Sequence, residues 1–185
     1  MNTLATRFHP SPLLRSILLC VSGAIVLTIS AKISIPFYPV PMTMQTLVVL
    51  LWGMLFGART SASTVALYLV SGMMGFAVFS GTPEKGIGIA YMMGPTGGYL
   101  LGFLAAAAFC GYARAHGWCR SLLTTAFTMT LGTAIIYSFG LLWLGTLLGW
   151  DKPILAWGLM PFLAADATKI ALGTLFLHVT RKNKA

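Results

Sequence analysis

Residues 34–47 read SIPFYPVPMTMQTL, placing three prolines and a glutamine between two runs that are otherwise almost wholly apolar. Pro36, Pro39 and Pro41 fix their own φ and remove backbone donors, so residues 34–41 cannot be regular helix. The stretch therefore joins two helices instead of continuing one. Irregular backbone at membrane depth survives only against protein or water, so an ordered loop outside the membrane or a re-entrant segment is expected here.

The flanking runs read as membrane segments because the whole chain does. Of its 185 residues 57% are apolar and only 8% charged, and the mean hydropathy is +0.85. A soluble domain does not carry that balance, and the expected class is an all-α integral membrane protein. Apolar runs fall at about 16–33, 42–57, 61–79, 96–113, 121–148 and 154–180, separated by prolines, glycines or charges. The second is short, and the third and sixth are interrupted. The expectation is one membrane domain over residues 1–185, a compact bundle of six transmembrane helices with no room for a second domain.

Twelve Lys and Arg stand against three acids, giving a net charge of +9. In a soluble protein that excess would point to nucleic acid, but here position matters more than the sum. With both termini cytoplasmic, as short tails 1–14 and 181–185, the inner segments receive Arg7, Arg15, Arg59, Arg114, Arg120, Arg181, Lys182 and Lys184. The outer loops hold Lys32, Lys85 and Lys152, so the positive-inside rule is satisfied. The charge is a topological signal with an added attraction to anionic lipids. Nucleic acid binding is not expected, because no basic segment is interleaved with stacking aromatics. Arg7 and Arg15 before an apolar run resemble a secretory leader, yet the exit toward Lys32 lacks a small-x-small cleavage site, and the first span is expected to be retained. Cys20, Cys110 and Cys119 form no metal or redox spacing and read as packing residues.

Polarity is concentrated at three places toward the outer ends of the spans. Thr43 and Gln45 enter the second span just after the prolines. An amide facing lipid is costly, so Gln45 faces a ligand or water, or is satisfied by a neighbouring helix. GTPEKGIGIAYMMGPTGGYLLGF, residues 81–103, superficially suggests a phosphate loop, but Ile87 stands where the phosphate-binding lysine should be and no strand precedes it. Gly94, Gly97 and Gly98 surround Thr96 at a helix start, where free amides can meet an anion or carbonyl or Thr96 can simply begin the helix. Gly98 and Gly102 also make a small-x-x-x-small step suited to helix packing. Finally, FLAADATKIAL, residues 162–172, puts Asp166 and Lys169 three apart on one helix face. Each costs roughly 2.5–3.5 kcal/mol at a membrane helix centre, so both must face the bundle interior or a wet cavity. They form either a binding site or an internal ion pair that locks the bundle.

IPFYPVPMTMQTLVVLLWGMLFGAR, GPTGGYLLGF and the late Asp-x-x-Lys of DATK together resemble the BioY family, the biotin-specific S components of energy-coupling-factor (ECF) vitamin transporters. The resemblance covers roughly residues 20–178. It implies a six-helix S-component fold in the plasma membrane of a prokaryote, with a biotin pocket near the outer face. The loop carrying Phe37, Tyr38, Pro39 and Pro41 becomes a lid, with Thr43 and Gln45 beneath it. Asp166 and Lys169 become the polar contacts to biotin, with Thr96, Gly98 and Tyr99 beside them. Biotin's ureido N–H groups, carbonyl and carboxylate match an acid and an ammonium. Phe37, Tyr38, Met44 and Phe79 are expected to supply the apolar wall.

One departure bears on partners. S components of this family often carry A-x-x-x-A on the first helix as a smooth face for the membrane T subunit, whereas the nearest spacing here is Ala24 with Thr28. Because the chain has no phosphate loop, the resemblance implies a T subunit and ATPase subunits as partners, and the altered motif leaves open a dedicated module, a homo-oligomer or a chain acting alone. No cofactor, catalytic residue or metal ligand is expected: there is no H-E-x-x-H, and His9, His116 and His178 lie toward the inner side, away from Asp166. The competing function is an ion-coupled transporter of another small substrate with Asp166 as its proton relay.

Overall fold

Ser11 opens the first helix by side-chain chemistry: its Oγ accepts from the Leu14 amide at 3.2 Å, and Pro12 sits where the missing N–H costs nothing. This computed structural model describes residues 11–182, together with every side chain up to residue 180. Arg7, His9 and Lys184, the tail before residue 11 and the side chains of Arg181 and Lys182 lie outside the described residues.

Helix α1 runs Pro12–Lys32. The proline stretch then folds back as a small antiparallel hairpin, β1 Ser34–Ile35 with β2 Met42–Thr43, in the register Ser34↔Thr43 and Ile35↔Met42. Helix α2 spans Gln45–Phe56 and α3 spans Ala58–Met73, joined by Gly57 alone. Gly57 has φ +83° and ψ 169°, a region essentially reserved for glycine, so the two helices meet at a one-residue corner. A loop and the five-residue α4, Gly88–Met92, lead to α5, Gly97–Ala115. Helix α6, Leu122–Leu148, begins with a reciprocal Ser121–Thr124 capping box. A five-residue α7, Ile154–Gly158, and a 3₁₀ turn, Met160–Phe162, precede α8, Leu163–Lys182.

Helix α5 is the centre of the bundle, packed along α6 on one side and against α2 and α3 on the other. Small residues let it come close. A Cβ added to Gly98 or Gly102 would strike Trp143, Phe139 and the backbone of Ile136 on α6. Across the bundle, fully buried Ser61 of α3 donates to the Ala107 carbonyl of α5 at 3.0 Å, a polar tie typical of membrane helices. Helix α1 is the outermost element: Leu14, Ile17, Leu18, Val21, Ile25 and Ile29 are all exposed. Four stretches, Pro12–Lys32, Gly97–Ala115, Leu122–Leu148 and Ile154–Thr180, are long and apolar enough to cross a bilayer.

Chain direction sorts the connections between two ends. At one lie the start of α1, the Gly57 corner and the α5–α6 turn; at the other lie the hairpin, the α3–α5 loop and residues 149–162. The second end is tied together by Lys32, whose Nζ donates to the carbonyls of Phe79 (2.9 Å) and Thr82 (3.3 Å) and to Thr82 Oγ1 (3.0 Å). Beneath this tie Phe79 stacks on Tyr91 and meets Tyr68 edge-on.

One expected span is corrected in extent, and another is interrupted as expected. The third ends at Met73 rather than near residue 79, because Gly75 turns the chain at φ +96° and sends Phe79 back into the core. The sixth is broken between Gly158 and Leu163, where Pro161 cannot donate to a helical ladder. Among the described residues the three cysteines are free thiols, and Cys110 and Cys119 are buried.

Candidate ligand site

The break before α8 decides where its charges go. Restarting at Leu163 places Asp166 in the first turn of α8, where the positive end of the helix dipole favours a carboxylate. Lys169 follows one turn later on the same face, and both are buried, at 6% and 7% exposure. Lys169 Nζ donates to Asp166 Oδ1 at 2.7 Å, to the Thr43 carbonyl at 2.8 Å and to Thr46 Oγ1 at 3.0 Å. Its three donors are thereby all engaged.

Asp166 is gripped from both sides. Thr46 Oγ1 donates to Oδ1 at 3.3 Å, and the Tyr137 hydroxyl of α6 donates to Oδ2 through a short hydrogen bond. Each carboxylate oxygen accepts about two hydrogen bonds, so Oδ1 is filled while Oδ2 keeps room for one more donor. Among the described residues no buried side-chain polar atom is left without a partner.

This network forms one wall of a cavity between the hairpin, α2, α4, α5, α6 and α8. Thr43, Gln45, Thr96, Tyr99, Asp166 and Lys169 all line it, and so does Pro41 of the hairpin. Gln45 points its amide the other way, donating to the Tyr68 hydroxyl at 2.7 Å, which passes a hydrogen bond to the Val78 carbonyl at 3.2 Å. Tyr99 likewise spends its hydroxyl on the Gly158 carbonyl at 2.8 Å, and its ring packs over Gly140 of α6.

Other expected residues lie elsewhere. Gly98 faces Trp143 on α6 and not the cavity, because its missing side chain is what allows the α5–α6 approach. Tyr38 is 85% exposed, Phe37 meets Phe162 edge-on at 6.2 Å, and Pro39 is buried in the hairpin without lining the cavity. The expected apolar wall is corrected: Phe37, Tyr38, Met44 and Phe79 do not form it, since Phe79 is fully buried under Lys32's loop and the hairpin carries the first two outward. Val40, Leu100, Phe103, Ile136 and Phe162 form it instead.

Thr46 and Tyr137 are the site residues that sequence reasoning missed. Thr46 follows Gln45 directly, and Tyr137 is a lone tyrosine in the middle of an apolar run, far from the ends where aromatic belts sit. Tyr137→Phe removes one donor from a buried carboxylate at almost no change in shape. The expected loss is roughly 1–3 kcal/mol of network stability, read as a lower thermal midpoint of the purified protein.

A helical membrane bundle with a buried ion pair on a cavity wall is the architecture in hand, and comparison with known proteins gives its family. The BioY family model matches residues 1–185. A probable biotin transporter BioY of Pyrococcus horikoshii is 33% identical over 156 residues, covering 84% of this chain and 90% of that protein. Biotin transporter BioY2 of Lactococcus lactis is 32% identical over 165 residues, covering 88% of each chain. The crystal structure of the S component for biotin from an ECF-type ABC transporter superposes with a TM-score of 0.76 at 22% identity, covering 91% of both chains. This chain belongs to the BioY family, and it is a multi-pass membrane protein.

Proposed function

We propose that this chain captures biotin as the substrate-binding membrane subunit of a vitamin uptake transporter, and that it is not an enzyme. The observation that carries the reading is the buried Asp166–Lys169 pair, held by Thr46 and Tyr137 on the wall of a cavity that also has a broad apolar side. A ureido N–H finds its acceptor at Asp166 Oδ2, the oxygen with a place left. Thr96 stands on the same cavity wall. Val40, Leu100, Phe103, Ile136 and Phe162 take the ring system and alkyl chain.

The cavity is small, with about 60 Å³ open to water. Biotin is larger, so the hairpin with Phe37, Tyr38, Pro39 and Pro41 acts as the lid and shifts on binding. Its tie to the site is the Thr43 carbonyl, one of Lys169's three acceptors. A ligand acceptor that takes over this donor releases the hairpin.

In the same reading α1, α2, α3, α5, α6 and α8 make six crossings of a prokaryotic plasma membrane, with the arginine-bearing end cytoplasmic and the hairpin outside. A membrane T subunit and ATPase subunits supply the energy, the T subunit docking on the outward side of α1 and α3 where Ala24 and Thr28 line an apolar cleft. Equilibrium binding of labelled biotin to the detergent-purified chain, with no partner present, tests the capture step. Tight, saturable binding is expected; a well-folded protein that ignores biotin would sink the reading.

A further inference from the structure

At the end opposite the cavity, arginines accumulate without a counter-charge. Arg15 lies on the second turn of α1, Arg59 at the start of α3, Arg114 at the end of α5 and Arg120 just before α6, and all four are exposed. The chain has only three acidic side chains to neutralise them. Glu84 sits in the α3–α5 loop at the far end, Asp151 follows α6 and pairs with Lys152 at 3.1 Å, and Asp166 is committed to the cavity. No carboxylate side chain of this protein can reach that end.

Two of these arginines share a cleft of about 500 Å³, walled by the first turns of α1, the Gly57 corner and the end of α5. Arg114 is set in place by donating to the Leu55 carbonyl at 2.6 Å, which satisfies an end group of α2 and leaves most of the guanidinium's donors unused. Arg15 stands opposite on α1. The hydroxyl-bearing Ser16 and Thr60 and the apolar Leu19 and Phe56 are also in the lining, and the first turns of α1 beside it expose the apolar Leu14 and Leu18.

We propose that this cleft binds the phosphate group of an anionic membrane phospholipid. Two guanidinium groups take the phosphate oxygens in bidentate fashion, and the acyl chains start against Leu14 and Leu18 in the first turns of α1, below the cleft given to the T subunit. A zwitterionic headgroup carries its own cation and leaves the arginine charge uncompensated, so a net negative lipid is selected. A free phosphate has the same oxygens but cannot use Leu19, Phe56 or the face of α1.

Native mass spectrometry of the full-length protein, released from detergent, tests this with phosphatidylglycerol, with phosphatidylcholine of the same acyl chains and with inorganic phosphate. Wild type is expected to retain phosphatidylglycerol in preference to phosphatidylcholine. Arg15→Gln/Arg114→Gln is expected to weaken that retention about tenfold or more, while Lys152→Gln at the far end leaves it unchanged. Arg15→Gln alone, which breaks no side-chain hydrogen bond among the described residues, is expected to lose part of it and keeps the test valid if the double variant folds poorly. Equal retention of the two lipids would overturn the proposal, as would equal phosphatidylglycerol binding by both variants and wild type. Full competition by inorganic phosphate would make the cleft a free-anion site and overturn the lipid assignment. Biotin plays no part in the readout, so this proposal and the capture function stand or fall separately.

Discussion

Lys169→Met is expected to abolish biotin binding and to lower stability by about 3–5 kcal/mol, the usual consequence of stranding a buried charge. Methionine fills the space of the lysine stem but gives nothing to Asp166 Oδ1, the Thr43 carbonyl or Thr46 Oγ1, all of which the ammonium now holds. Asp166→Asn is expected to be gentler. The amide has the carboxylate's shape, its oxygen still accepts from Lys169, and the remaining ammonium contacts survive. Its biotin affinity should nevertheless drop, because the amide nitrogen then stands where Oδ2 was and meets the ureido N–H as a second donor instead of an acceptor.

The double variant Asp166→Asn/Lys169→Met separates site from scaffold. Removing both charges should recover most of the stability lost in Lys169→Met, since a neutral pair carries little desolvation cost, without recovering any biotin binding. Thermal unfolding in detergent beside labelled-biotin binding reads the two quantities independently. If stability and binding rise and fall together across the three variants, the pair is a structural lock and the binding site lies elsewhere.

The pair could be read from sequence because an acid and a base three residues apart in an apolar run have few ways to be tolerated. The partners that hold them could not. Tyr137 lies 29 residues from Asp166, and Thr46 and Asp166 are 120 residues apart, so only the fold brings these hydroxyls to the carboxylate. Glycines were ambiguous for a different reason. Close backbone approach looks the same in sequence whether a ligand or a helix does the approaching, and at Gly98 it is Trp143 of α6. The prolines fixed the position of the break before α2 but not its form, because a hairpin of two residue pairs is too short to leave an alternating pattern. Gln45 shows both sides of the problem: its need for a partner was legible, but it lines the cavity while giving its amide to Tyr68.

Gly111→Ala is expected to destabilise the bundle by about 3 kcal/mol or more and to take biotin binding down with it, although Gly111 touches no part of the cavity. A Cβ at this position of α5 would overlap the backbone N and Cα of Ala58 and the carbonyl carbon of Gly57. Those atoms form the one-residue corner between α2 and α3, held in a conformation that glycine alone adopts readily, so they have nowhere to retreat. Arg114 pins the same corner one turn further on through the Leu55 carbonyl. Gly173→Ala is the control. Its added Cβ also comes well inside contact distance, 2.5 Å against 2.2 Å at Gly111, but to the terminal Cε of Met129, and next to Leu47 Cδ1 at 2.9 Å. Both are the ends of flexible side chains that can rotate aside, and the expected cost is about 1 kcal/mol or less. Thermal midpoints of the two variants, measured in the same detergent, decide whether rigidity of the contacted atoms or closeness alone sets the penalty: similar midpoints would mean that the α2–α3 corner yields, and that α5 is not anchored there.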